Sequence, residues 1–301
     1  GDAGQGGVDG AGRLPVYQWR HDRAAARRRD PVLENALRPG AGNPSRTARA
    51  LESPLYAPLR RWLGQLPPAP DTTAVAALAE QFPILAPDGK SIRFVPPRAD
   101  GLVYECRIRD TGEVETRPGS WHDFFNALVW LTFPQAKLAI SARHVQAMAP
   151  AGAARGSERD ALTHFDECGI VVLSSQPQLL DLLREFRWRA LFAERRADVL
   201  RAVAFVVFGH ATYESLLNPF RGLTAKAILH EVDDDWLAMP VAAQAAAVDT
   251  LLAADFANGR CTRPCDLQPL PVLGIPGVTP DSEVASYYDD RWQFRPGRRR
   301  A

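Results

Sequence analysis

The run SWHDFFNALVWLTFP, residues 120 to 134, restricts the fold more than any other stretch. Phe124, Phe125, Ala127, Leu128, Val129, Trp130 and Leu131 leave no polar face wide enough for solvent. A helix apolar on nearly every side is stable only when other elements surround it. Ser120 followed by Asp123 reads as a capping box with Asp in place of Glu, the carboxylate reaching back to the Ser120 amide. Asp123 also lies where the helix dipole favours negative charge. Pro134 ends the helix and opens a second segment over 135 to 148. The remaining polar residues need a different explanation. His122 and Asn126 are four apart and share a face that Trp130 continues.

Composition narrows the setting. The 301 residues suffice for one large domain, and 46% hydrophobic with 24% charged residues is the balance of a soluble globular protein. A formal net charge of +1 provides no strong field toward nucleic acid or an anionic membrane. No apolar run approaches the roughly 18 residues of a membrane span. Lysine stands only at 90, 137 and 226; arginine carries the other basic positions and offers bidentate recognition of an anionic ligand or partner. Of Cys106, Cys168, Cys261 and Cys265, the last two form CTRPC, which lacks the second pair a tetrahedral zinc site needs. Reduced thiols in a cytoplasmic protein are the expectation, with a local disulfide across TRP as the alternative. Residues 1–50, including RAAARRRD, read as a disordered or extended basic leader without a signal-peptide pattern. Residues 51–301 read as a single domain.

Along that domain the pattern predicts an α+β fold: a mixed sheet with several packed helices and an irregular C-terminal strap. A short helix follows residue 52, and Asp71 caps another over 71 to 82. Alternating residues predict strands at 91 to 95 and 102 to 109, a D-T-G turn, and a return strand at 113 to 116. After a loop over 150 to 157, SERDALTHF is a short helix and DECG a turn with Asp166 as turn former, leading to a strand over 169 to 175. SQPQLLDLLREFRWRALFAERR reads as one strong helix, with Ser175 as cap and Gln178 completing a box. Residues 200 to 209 and 225 to 233 read as strands, HATYESLLN as a helix, and the Ala-rich stretch after Pro240 as another.

The block SWHDFFNALVWLTFPQAKLAISARH resembles the signature of an uncharacterised, largely proteobacterial family, a domain of unknown function. GEVETRP precedes it; ERDALTHFDECG, FGHATYE, GLTAKA, PVLGIPG and YYDDRWQFRP follow in the same order. The resemblance runs from about residue 50 to the end and implies a family without implying a reaction.

Three blocks hold polar residues directed inward. Besides His122 and Asn126, His144 ends the second helical segment; His210 follows an apolar run and a glycine, with Glu214 one turn on; Asp166 precedes a strand. A strand-to-helix connection such as that at His210 is a favoured ligand position. Together these residues suit a hydrolase-like enzyme, with a divalent metal or a general-base water among imidazoles and a carboxylate, and Asn126 orienting a substrate oxygen. The competing reading is a non-catalytic binding or scaffold protein with a buried polar network. Lys226 is a further rare lysine, and Tyr287 to Asp290 a polar-aromatic end piece. No Gly-rich phosphate loop, H-E-x-x-H or G-x-S-x-G is present, and no base activates Cys168.

Overall fold

Strand GIVVLS, buried at all six positions, forms the middle of the domain in the computed structural model. The structure describes Ala48 and residues 51–148 and 156–297, all within the unit Asn43–Ala301. The leader over 1–50, apart from Ala48, and the greater part of the loop over 150 to 157 lie outside the described residues.

A 3-10 segment, Pro54–Leu59, leads into α1 (Arg60–Leu63) and then α2 (Thr72–Gln81), capped by Asp71 as its sequence predicts. Next come β1 (Arg93–Val95), α3 (Tyr104–Thr111) and β2 (Glu113–Glu115). Here two expectations fail. From Tyr104 the stretch is helical as far as Thr111, burying Arg107 and Ile108, and Gly112, at φ 69°, closes the helix in the left-handed region. With a helix in place of the middle strand, no hairpin forms across the D-T-G turn, and β1 and β2 pair in parallel.

The apolar run forms α4 (Trp121–Thr132), and Pro134 begins α5 (Pro134–Gln146). Ser120 Oγ accepts from the Asp123 amide at 3.2 Å, as the cap predicts. The Asp123 carboxylate does not reach back to Ser120. It accepts from the Arg117 backbone amide at 2.7 Å and from the Arg117 guanidinium at 2.8 Å through both oxygens, a charged partner that outcompetes a lone amide. Phe124, Phe125, Leu128 and Val129 have almost no exposed surface. Each such side chain contributes roughly 1.5–3 kcal/mol on burial.

The rest is α6 (Ser157–Cys168), β3 (Gly169–Ser174), α7 (Pro177–Arg184), α8 (Arg196–Ala202), β4 (Val203–Val207), α9 (His210–Leu217), β5 (Thr224–Glu231), α10 (Asp234–Leu237), α11 (Val241–Ala257) and β6 (Gln268–Pro271). The sheet order is β4-β3-β5-β6. β3 pairs antiparallel with β4 and parallel with β5, and β5 antiparallel with β6, a mixed sheet as expected. The fold is α+β. Helix α11 packs on α5, and its Asp249 accepts from the Gln135 and Ala136 amides at 3.2 and 2.8 Å, capping α5 from outside. Helix α4 is enclosed by α2, α5 and α9. From β6 onward short 3-10 turns strap the C-terminal segment down, with Tyr288 and Phe294 packed together beside Phe192.

Three more differences have local causes. The long helix from 175 stops at Arg184, because Phe186 turns to φ 58° and continues into a π-helical turn at Ala190–Glu194. Gln176 is its N-cap, without a side-chain bond, and Ser174 Oγ accepts from the Gln176 amide at 3.1 Å, so the Ser175–Gln178 box does not form. The DECG turn is absent: α6 continues through Cys168 and passes directly into β3.

Candidate functional site

The α6–β3 and β4–α9 junctions cross in van der Waals contact. The Phe208 and Gly209 amides both donate to Gly169 O, at 3.0 and 2.8 Å. A Cβ on Gly209 would lie 2.4 Å from Glu167 O and from Gly169 N, so only glycine permits the crossing. This crossing places His210, the first residue of α9, against Asp166 and Glu167 in the last turn of α6. His122, in the first turn of α4, faces them from the other side, since α9 packs along α4.

Three ligand atoms meet there. His122 Nε2 and His210 Nε2 are 3.0 Å apart. Glu167 Oε2 lies 3.5 Å from the second and 3.9 Å from the first. Behind them, His122 Nδ1 is 3.1 Å from Glu214 Oε2, and His210 Nδ1 is 3.9 Å from Asp166 Oδ2. Glu214, within hydrogen-bond reach of His122 Nδ1, favours the proton on that nitrogen and leaves His122 Nε2 toward His210, whereas the Asp166 carboxylate stands beyond hydrogen-bond reach of His210 Nδ1. The ligand atoms of His122, Glu167 and His210 all lie within 4.8 Å of one another.

These groups open on a cavity of about 430 Å³. Its deeper wall is a chain of polar contacts. Lys137 donates to Asp166 Oδ1 at 2.5 Å and to Asn126 Oδ1 at 3.0 Å, and Asn126 Nδ2 donates to the Tyr104 hydroxyl at 3.1 Å. Trp130 closes the back, with the Lys137 ammonium 5.4 Å from its ring centre. His144 stands on the same wall, its Nδ1 3.9 Å from Glu105.

The electrostatics follow from burial and partners. Burial pushes the His210 imidazole down to about 3, so it is neutral. Burial also opposes charge on His122, but the hydrogen bond to Glu214 and the charge of Glu167 outweigh it and raise its pKa. Burial raises Glu167, with His122 opposing. Asp166 goes the other way: burial resists its charge, yet Lys137 and His210 hold its carboxyl below the ordinary range. Burial raises the Tyr104 phenol, which therefore keeps its proton.

Five of the six residues singled out from sequence, His122, Asn126, His144, Asp166 and His210, line this one cavity. Glu214 stands behind His122 rather than beside His210, because α9 presents its second turn to α4. His144 is not among the three residues whose ligand atoms meet. Glu167, Lys137 and Tyr104 were not singled out. Lys137 lies four residues before Ser141 and seven before His144, a helical row on α5 that marks one face. Lys226, the lysine singled out instead, is in β5 opposite Gly169 and outside the cavity lining. Burial and the charge of neighbouring Glu167 push the Cys168 thiol up to about 11, against the opposing charge of Lys226.

A match to the family described as protein of unknown function, DUF3025, spans residues 92–298. The chain belongs to the DUF3025 family. Every residue lining the cavity, from Pro97 to His210, and Glu214 behind His122 fall inside the matched stretch, so the candidate site is built wholly from the DUF3025 domain. Neither the curated proteins nor the solved structures yield a match. Among the described residues no helix of this DUF3025 protein is long and apolar enough to cross a membrane.

Proposed function

We propose that the cavity is the active site of an intracellular, metal-assisted hydrolase acting on a small molecule. The observation that carries this reading is the pair of Nε2 atoms 3.0 Å apart with Glu167 beside them. Two neutral imidazoles that both keep Nδ1–H repel through facing lone pairs unless a cation lies between them. Nitrogens bound to one zinc at about 2.0–2.1 Å sit roughly 3.0–3.4 Å apart, matching the spacing here. Two histidines and a glutamate are also a set that leaves a coordination position open, as catalytic sites do.

A divalent cation held there would polarise a water or a substrate oxygen and make the water a nucleophile near neutral pH. The chain's own groups arrange the rest. Glu214 orients His122, and Asp166 faces the far nitrogen of His210. Lys137 balances the charge of Asp166, and Asn126 fixes Lys137. A cavity of about 430 Å³ has the size of a small-molecule pocket. The second reading, a non-catalytic binding protein, draws on the opposed shifts of the histidines: one proton shared between His122 and His210 also satisfies their facing nitrogens.

Calorimetric titration of zinc into EDTA-treated protein separates the two. The proposal expects one equivalent to bind, and binding to be lost in His122→Ala and His210→Ala. Absence of binding, with both variants altered only in melting temperature, would leave the shared-proton network as the explanation.

A further inference from the structure

We propose that the deep end of this cavity is an oxyanion subsite, in which Tyr104 and Lys137, with Trp130 behind the Tyr104 hydroxyl, receive a carboxylate or phosphoryl group of the substrate. This deepens the hydrolase reading and rests on it for the position of the reacting bond. The donor chemistry is visible by itself.

The Tyr104 oxygen already accepts from Asn126 Nδ2 at 3.1 Å. The Trp130 indole N–H is directed at the same hydroxyl without reaching hydrogen-bond geometry, and no other acceptor meets it. Trp130 is 1% exposed, so this donor has no access to bulk solvent, and its ring lines the cavity. With donors approaching its oxygen, Tyr104 can contribute further only through its own proton. Lys137 has three ammonium protons and uses two, on Asn126 and Asp166. The wall therefore offers a phenol O–H and an ammonium N–H, with the indole N–H buried behind them at the phenol oxygen. A buried donor left without an acceptor is unusual, and a ligand oxygen would supply one.

The acids of the cavity do not compete for that role. Asp123 is held bidentate by Arg117, Asp166 is bonded through Oδ1 to Lys137 and Glu115 pairs with Arg107, while Glu105 faces His144. Glu167 belongs to the histidine pair. A substrate with an oxyanion at one end and a hydrolysable bond toward His122 and His210 uses both ends of the cavity.

The test titrates inorganic phosphate and, separately, acetate into zinc-loaded protein, and repeats both in EDTA-treated protein. Tyr104→Phe and Trp130→Phe keep each site aromatic; Tyr104→Phe deletes one hydroxyl, while Trp130→Phe also trims the indole. The wild type should bind at least one of the two anions. Tyr104→Phe should weaken that binding about tenfold and Trp130→Phe several-fold, each with zinc stoichiometry unchanged. Preference between phosphate and acetate identifies the substrate group as phosphoryl or carboxylate. If zinc binds but neither anion does, or both variants bind anion as well as wild type, the subsite is wrong and the metal centre stands. If zinc does not bind, the hydrolase reading fails, and the EDTA-treated titrations decide the subsite: Tyr104-dependent anion binding keeps it, and its absence removes it.

Discussion

His122 and His230 each lie beside a carboxylate, yet they do opposite things. His230 Nε2 is 2.8 Å from Asp255, and Arg260 donates to Asp255 at 3.0 Å and to Leu229 O at 2.7 Å. In that cluster the carboxylate, the guanidinium and the main chain use each other up, and none of the three residues lines the large cavity. Around His122 and His210 the carboxylates sit behind the rings, and the opposite nitrogens converge with Glu167 on a shared point. A histidine next to an acid is thus not a site by itself. What distinguishes a site is a lone pair left over and aimed at others.

The comparison can be broken most forcefully at the ligands. His122→Ala or His210→Ala should lower zinc affinity by more than the 10–100-fold typical of losing an outer partner, whereas His230→Ala should leave it unchanged. Equal loss in all three, measured by competition with a chromophoric chelator, would erase the distinction. Gly209→Ala tests the crossing that sets His210 against Glu167. With main-chain atoms 2.4 Å from the new Cβ, destabilisation of roughly 2–4 kcal/mol is expected in urea unfolding, and an unchanged midpoint would show that the crossing is not tight. Glu214→Gln keeps the hydrogen-bond shape and removes the charge behind His122. Zinc affinity should fall about 10-fold or more.

The smallest effect belongs to the closed cluster. Burial resists charge on Asp255, but His230 and Arg260 outweigh it and hold its carboxyl below the usual range. Its contribution to stability is therefore complete above the unfolded value, about 3.9, and is lost as pH falls through the lower folded value. Asp255→Asn should cost about 1–2 kcal/mol at pH 7 and flatten the fall in melting temperature between about pH 4 and 2. An identical acid limb in the two proteins would remove Asp255 from the explanation.

Much of the proposed site was legible because two signals coincide on α4: an apolar body that demands burial, and His122 with Asn126 on one row of it. His210 was legible from the glycine and apolar run before it. Glu167 was not, since a carboxylate beside Asp166 near a strand reads as turn chemistry, and only the continuation of α6 to Cys168 carries it to His210. Lys137 was hidden for a different reason. The bend at Pro134 decides which face of α5 returns to the cavity, and that depends on Asp249, more than a hundred residues away, capping α5. The same limit explains α3. Its alternating residues fit a strand locally, and the Gly112 turn with parallel β1–β2 pairing makes it a crossover helix.

X-ray absorption at the zinc edge of reconstituted protein examines the convergence itself. Two imidazole nitrogens at about 2.0–2.1 Å with a carboxylate oxygen in the first shell are expected, with one imidazole lost in each of His122→Ala and His210→Ala. A shell containing sulfur, or one indistinguishable between wild type and the two variants, would contradict the account.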